Sequence, residues 1–178
     1  MDTDKLIEIF LREPEKEFYV RELARKLKKS PTTISRYLRE FEKKGILKSE
    51  SKFNHLLFKA SSEKEEFRQL RLNYNLKKIK ESGIVDFLIG EFNEPKAVVL
   101  FGSFSKGENV KASDIDLLLI TPLKKEVNIE KFESELGHKV QLFLFSNKEL
   151  EKMKEKNKEL LNSFINGITL HGFIEVFK

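Results

Sequence analysis

The chain has no cysteine and no tryptophan, only two methionines and four prolines in 178 residues. It also has no apolar run near the roughly 20 residues that cross a bilayer. Without cysteine, disulfides and thiolate-held metals are excluded. Without a long apolar run, no membrane-spanning helix is expected. The first five residues, Met-Asp-Thr-Asp-Lys, carry neither a basic lead nor the start of an apolar signal core, so the expected location is cytoplasmic. What is present is a globular mixture: 39% hydrophobic and 35% charged residues, with sixteen phenylalanines as the bulk of the aromatic content. The cores should therefore be built on Phe. The length suits one domain or two small ones.

The charge is uneven. Residues 1–60 hold 15 Lys and Arg against 10 Asp and Glu, whereas residues 61–178 hold 19 of each. The whole net charge of +5 thus sits in the first third. A basic module joined to a neutral one is a candidate for nucleic-acid binding, with an ordinary solvated surface as the plainer reading.

In that first third, Leu6, Ile9 and Phe10 fall on one face of a helix that Pro14 ends. Glu17–Val20 reads as a short extended entry. Val20, Leu23, Ala24 and Leu27 line a second helix, and Lys28-Lys29 makes a turn. Ser30 is placed to cap a third helix with Pro31 at its first position. Ile34, Leu38 and Phe41 form its inner stripe, and Gly45 ends it. Two strands, Ile46–Ser49 and His55–Lys59, flank a polar turn at residues 51–54. Three helices and a hairpin in this order, with Arg-Glu-Leu-Ala, Ser-Pro-Thr-Thr-Ile-Ser-Arg-Tyr-Leu and Glu-Lys-Lys-Gly-Ile-Leu, resemble the winged helix-turn-helix of archaeal and bacterial transcription regulators. The resemblance covers residues 4–60. It implies double-stranded DNA as a partner, with the third helix in the major groove. Thr32, Thr33, Ser35, Arg36 and Arg39 are then the outward candidates, Arg36 foremost for a guanine edge. Lys28, Lys29 and Lys43 would meet phosphates, and Lys52 and Asn54 would stand at the wing tip. Protein contact or dimerisation is the competing use of such a module. Tyr37 and His55 are expected to be structural.

A further helix is expected over Lys64–Ser82, with Phe67, Leu70, Leu72, Leu76 and Ile79 as its apolar stripe, followed by a shorter one at Ile84–Phe92. The stripe must be covered by one of the modules or by a second copy of the chain, and a homodimer suits a protein that reads paired half-sites. Near the C-terminus, the Lys/Glu-rich run from Lys148 to Glu159 reads as a solvated helix capped by Ser146, with Leu150, Met153, Leu160 and Leu161 turned inward. Helices are expected to continue through Leu170.

The densest chemistry lies between these helices. The apolar run Ala97–Phe101 leads into Gly102-Ser103, and Asp114-Ile115-Asp116 opens another apolar run ending at Ile120. A strand followed by a tight Gly-Ser turn offers amides to a phosphate. Carboxylates at i and i+2 on a strand project from one face and can share a hard cation. This pattern, with Gly107 and Ser113 between, resembles the minimal nucleotidyltransferases of the polymerase-beta-like superfamily over roughly residues 84–172. The resemblance implies nucleoside triphosphate as ligand, Gly102, Ser103 and Lys106 around its phosphates, and Mg2+ on Asp114 and Asp116. Lys106 reads equally well as a plain surface lysine, and Ser113 as a turn cap. The family places a third carboxylate on the following strand, expected at Lys139–Phe145. Here the matching position is Gln141, which cannot take a proton from an acceptor hydroxyl. Glu133 and Glu135 lie upstream in a helix or turn and are not expected to replace it.

The expected fold class is α+β: a winged helix-turn-helix over residues 1–62, connecting helices over 63–92, and a small mixed-sheet nucleotidyltransferase-like domain over 93–178. Three functions fit. One is an enzyme moving a nucleoside monophosphate from a triphosphate to a hydroxyl acceptor. Another is a DNA-binding regulator whose second domain is catalytically impaired and senses a nucleotide or acts as a scaffold. The last is a toxin–antitoxin type of protein working beside a helical partner, as some similar minimal nucleotidyltransferases do.

Overall fold

In the computed structural model, which describes residues 2–52 and 55–175, the chain divides into two units, residues 1–74 and 75–178. The first unit opens with α1 (Asp2–Arg12), which turns Leu6, Ile9 and Phe10 inward as the 3.6-residue period requires. β1 is only Phe18–Tyr19, because Val20 already begins α2 (Val20–Leu27). Lys28 closes α2 in the left-handed conformation, with φ 53°. Ser30 caps α3 (Pro31–Lys43): its Oγ accepts the Thr33 amide at 3.1 Å, and Pro31 takes a position where no amide partner is needed.

The hairpin strands β2 (Leu47–Lys52) and β3 (His55–Ala60) run slightly longer than the sequence pattern suggests. The tip of the wing, including Asn54, lies outside the described residues. β1 adds to the far side of β3, with Phe18 opposite Phe58, in an antiparallel sheet of order β1-β3-β2. Phe10, Phe18, Leu23, Ile34, Leu38 and Phe58 form the core, and the Phe10 and Phe18 rings meet edge to face at 5.1 Å. Each such side chain stabilises the fold by about 1.5–3 kcal/mol through burial. Phe58→Ala would remove about 3–5 kcal/mol.

α4 (Glu65–Ser82) crosses the unit boundary, which falls between Tyr74 and Asn75. Phe67, Leu70 and Tyr74 pack into the first core, and Leu76 and Ile79 into the second. Its deepest row is Phe67, Arg71, Asn75 and Ile79, whereas Leu70, Leu72 and Leu76 are half-buried. The apolar stripe expected from hydropathy is thus flanked by two polar residues on the innermost line. Burial pulls the Arg71 guanidinium down to about 10, against the opposing influence of Tyr74 and Glu15.

In the second unit, α5 (Ile84–Glu91) leads to β4 (Ala97–Phe101), β5 (Ile115–Ile120), α6 (Glu130–Leu136), β6 (Val140–Phe145), α7 (Asn147–Lys156), α8 (Lys158–Ile165) and β7 (Ile168–Gly172). The sheet order is β6-β5-β4-β7; β4 is antiparallel to β5 and β7, and β5 is parallel to β6. Both faces of the central strands are buried. Val98, Leu100, Ile115, Leu117 and Leu119 face Ile79, Leu88 and Phe132, while Ala97, Val99, Phe101, Leu118 and Ile120 face Leu150, Met153, Leu161 and Phe164. This explains why β4 and β5 read as unbroken apolar runs.

Two expectations are corrected. The run read as one helix breaks at Asn157, whose side chain accepts the Leu160 amide at 3.2 Å and starts α8 anew. Ser146 does cap α7, in a reciprocal box with Glu149. The chain also stops being helical before Leu170: Gly167 lies so close to β4 that a Cβ there would stand 2.7 Å from the Leu100 carbonyl oxygen, and Ile168 begins an edge strand. The β-branched pair Ile168-Thr169 after Asn-Gly was the available signal. No helix among the described residues is long and apolar enough to cross a membrane.

Candidate functional site

β4 ends at Phe101, opposite Asp116 on β5. Gly102 follows in the left-handed region, φ 70°, and a Cβ on it would run into Asp116 Oδ2. Glycine is therefore demanded twice, by the backbone and by the carboxylate lying over it. The bend enters a single 3-10 turn, Phe104–Lys106. Ser103 O accepts the amides of Lys106 at 3.2 Å and Glu108 at 3.0 Å, and Ser105 Oγ donates to Gly102 O at 2.8 Å. These bonds hold the Gly102 and Ser103 carbonyls within the turn. The half-exposed Ser103 side chain makes no cap hydrogen bond. Lys106 is exposed at the end of the turn, where no ion pair ties it to an aspartate among the described residues.

Asp114 is exposed just ahead of β5, and Asp116 is half-buried within it. Burial first, and then the negative charge of Asp114, hold the Asp116 carboxyl above its ordinary range. The two acids thus stand close enough to feel each other. The loop that delivers Asp114 is fastened at several points. Ser113 Oγ accepts the Val110 amide at 2.9 Å, which is the turn cap expected of it. His138 Nδ1 lies 2.9 Å from Ser113 O and, as the only partner able to donate, supplies the hydrogen. The His138 ring meets Phe104 edge to face at 4.9 Å. Asn75 reaches the same loop from α4, donating to Phe104 O and to Asn109 Oδ1.

On β6, Gln141 is the register partner of Asp116. Its side chain shares the sheet face of Phe143 and Phe145, the face on which Asp116 also lies. Glu133 accepts the Val140 amide at 2.9 Å and Lys139 Nζ at 3.1 Å, and these donors hold its carboxylate below the ordinary range. Its helix, α6, packs through Phe132 on the opposite face of the sheet. No third His, Cys, Asp or Glu joins Asp114 and Asp116 among the described residues. The donor set able to take a hard cation is therefore two carboxylates, with the neutral amide of Gln141 beside them.

In the first unit, Thr32, Ser35, Arg36 and Arg39 share one shallow concavity with Arg21 and Val20 of α2. Arg21 escaped the sequence reading, because its place beside α3 depends on how the two helices pack. Arg36 is exposed over the Tyr37 ring, 5.1 Å from its centre, and makes no ion pair among the described residues. Tyr37 is half-buried against the core, as expected, and the exposed His55 lies edge to face with Tyr19. Other candidates are already engaged. The Thr33 hydroxyl is 2.8 Å from that of Ser30, within the helix cap. Arg39 donates to Glu42 at 2.7 Å and lies over the Phe58 ring at 5.5 Å. Lys52 Nζ is 2.7 Å from Glu17 and 3.3 Å from Glu50, which raise its pKa. Lys28 and Lys43 are exposed at the ends of α2 and α3.

Comparison with known families agrees with both halves of this architecture. Residues 20–48 match the model for winged helix-turn-helix DNA-binding domains, and residues 82–166 match that for nucleotidyltransferase domains. No curated protein and no solved structure gave a match. The chain is thus a fusion of a DNA-binding type of winged helix-turn-helix with a nucleotidyltransferase domain.

Proposed function

We propose that this protein is a DNA-binding regulator whose nucleotidyltransferase domain takes up a magnesium-bound nucleoside triphosphate and transfers its nucleoside monophosphate, with release of pyrophosphate, slowly or not at all. The pairing of Asp116 with Gln141 carries this reading. Where transfer needs a carboxylate to receive the acceptor's proton, the chain has an amide that can only donate or accept a hydrogen bond.

The binding half of the proposal draws on the bend and the acid pair. The amides at the start of the 3-10 turn and the Ser103 hydroxyl would hold phosphate oxygens, and Lys106 would add charge. Asp114 and Asp116 fit a divalent cation, since their mutual repulsion is relieved by positive charge between them. Such a cation would neutralise the phosphates and align an acceptor hydroxyl. Gln141 would orient that hydroxyl without deprotonating it. On the first unit, Arg36 and Arg21 would supply cations for DNA, with Thr32 and Ser35 beside them.

The full chain should bind labelled ATP, GTP, CTP or UTP in the presence of magnesium, and Asp114→Ala/Asp116→Ala should abolish this. A mobility shift with duplex DNA should change its midpoint when the bound nucleotide is added. No binding of any of the four at millimolar concentration would defeat the nucleotide reading. The intact bend and acid pair favour a second reading, slow transfer to an acceptor that loses its proton to water. Magnesium-dependent label on an acceptor, lost in the same double variant, would establish it.

A further inference from the structure

The innermost line of α4 carries an asparagine where packing alone would favour leucine. Asn75 is 4% exposed and sits one turn before Ile79, against the second core. Its Nδ2 donates to Phe104 O at 3.1 Å and to Asn109 Oδ1 at 2.8 Å, and Asn109 is itself 3% exposed. A buried amide lowers stability unless its hydrogen bonds are made, and at best it does little better than an apolar side chain of the same shape. Its use must lie in what it holds.

What it holds is the loop after the glycine bend. Gly102 O is taken by Ser105 Oγ, and Ser103 O by the amides of Lys106 and Glu108. Within the loop the Gly107 amide meets Phe104 O at 3.4 Å. Asn75 therefore supplies the shorter bond to the third carbonyl of the series, and at the same time ties down Asn109 at the far end of the loop. We infer that Asn75 is a positioning residue for phosphate binding: from α4 it holds the 3-10 turn in the orientation that presents the Ser103 and Phe104 amides. This rests on the nucleotide reading of the bend, and extends the site to a helix that neither the Gly-Ser nor the Asp-x-Asp pattern includes.

The test uses the full chain with MgATP, MgGTP, MgCTP and MgUTP as probes in calorimetric titration, together with thermal melting and amide hydrogen exchange over residues 103–109. Asn75→Ala removes both donors. Asn75→Asp keeps the shape, and although the Asn109 amide can turn to meet it, the Phe104 carbonyl cannot. Ile79→Val, one turn along the same helix, is the control for general loosening of α4. Both Asn75 variants should weaken the tightest-binding nucleotide about tenfold or more, a change of about 1.4 kcal/mol, and speed exchange at 103–109. Ile79→Val should lower the melting temperature while leaving affinity and exchange unchanged. Asn75 variants that melt earlier yet bind and exchange like wild type would overturn the inference and leave Asn75 a packing residue. A wild-type chain that binds none of the four overturns the underlying nucleotide reading instead. That failure is told apart by exchange, because a clamp that does not exist leaves residues 103–109 unchanged in Asn75→Ala.

Discussion

Replacing Gln141 by aspartate tests whether this position is the empty seat of a third acid. Register neighbours on adjacent strands are about 5 Å apart and carry their side chains on one face. In Gln141→Asp a new carboxylate would thus stand about that far from Asp116. Two like charges at this distance repel by about 1 kcal/mol in water and about 3 kcal/mol at the effective dielectric of a protein surface. Gln141 is exposed, so the lower figure governs, and the metal-free variant should lose about 1 kcal/mol of stability at neutral pH. A divalent cation about 4 Å from the added charge gains about 2 kcal/mol in water, equivalent to roughly thirtyfold tighter binding. A group able to accept the acceptor's proton contributes about 10²–10⁴ in rate. The assay is titration of magnesium in the presence of nucleotide, followed by transfer of label from each nucleoside triphosphate to candidate hydroxyl acceptors. The variant should bind magnesium more tightly than wild type and transfer faster. If its magnesium affinity is unchanged, the 141 side chain does not face the acid pair. If wild type already transfers as fast, the absence of a third acid is not what limits this domain.

Gly102→Ala should abolish nucleotide binding and destabilise the chain by about 1–3 kcal/mol, because φ 70° strains the backbone and the new methyl displaces Asp116; chemical denaturation and nucleotide titration read both effects. Asp116 holds its proton more tightly in the folded chain than in the unfolded one, so its contribution to stability is greatest at low pH and is lost as pH rises through the raised value. Metal-free Asp116→Asn should accordingly melt above wild type at pH 7, with the difference vanishing near pH 3, at about the bottom of the ordinary carboxylate range. Arg36→Ala should weaken duplex binding by about 1–3 kcal/mol and Arg21→Ala should lower the salt slope by about 0.9, each without changing the melting temperature. Arg39→Ala should lower both DNA affinity and stability, since its guanidinium also holds Glu42 and covers Phe58; equal melting curves would contradict that double role.

Local chemistry made much of this protein legible from its residues. The Ser30-Pro31 cap, the Leu6–Phe10 and Ile34–Leu38 spacings, the apolar runs around Gly102 and Asp114, and the Ser146 cap depend on neighbours a few residues away, and these elements formed where the pattern placed them. Other features depend on residues far apart in the chain. Strand register set Gln141 beside Asp116, a position the family resemblance had pointed to, but only helix packing brought Arg21 to the face of Arg36, and only the folded core carried Asn75 to the loop after the bend. Lys52 shows the same limit from the other side: its position on the wing was readable, but its engagement by Glu17, 35 residues earlier, was not. Periodicity and capping act through bonds along one segment, whereas register and side-chain partnership are chosen when distant segments compete to bury apolar surface and satisfy every buried polar group.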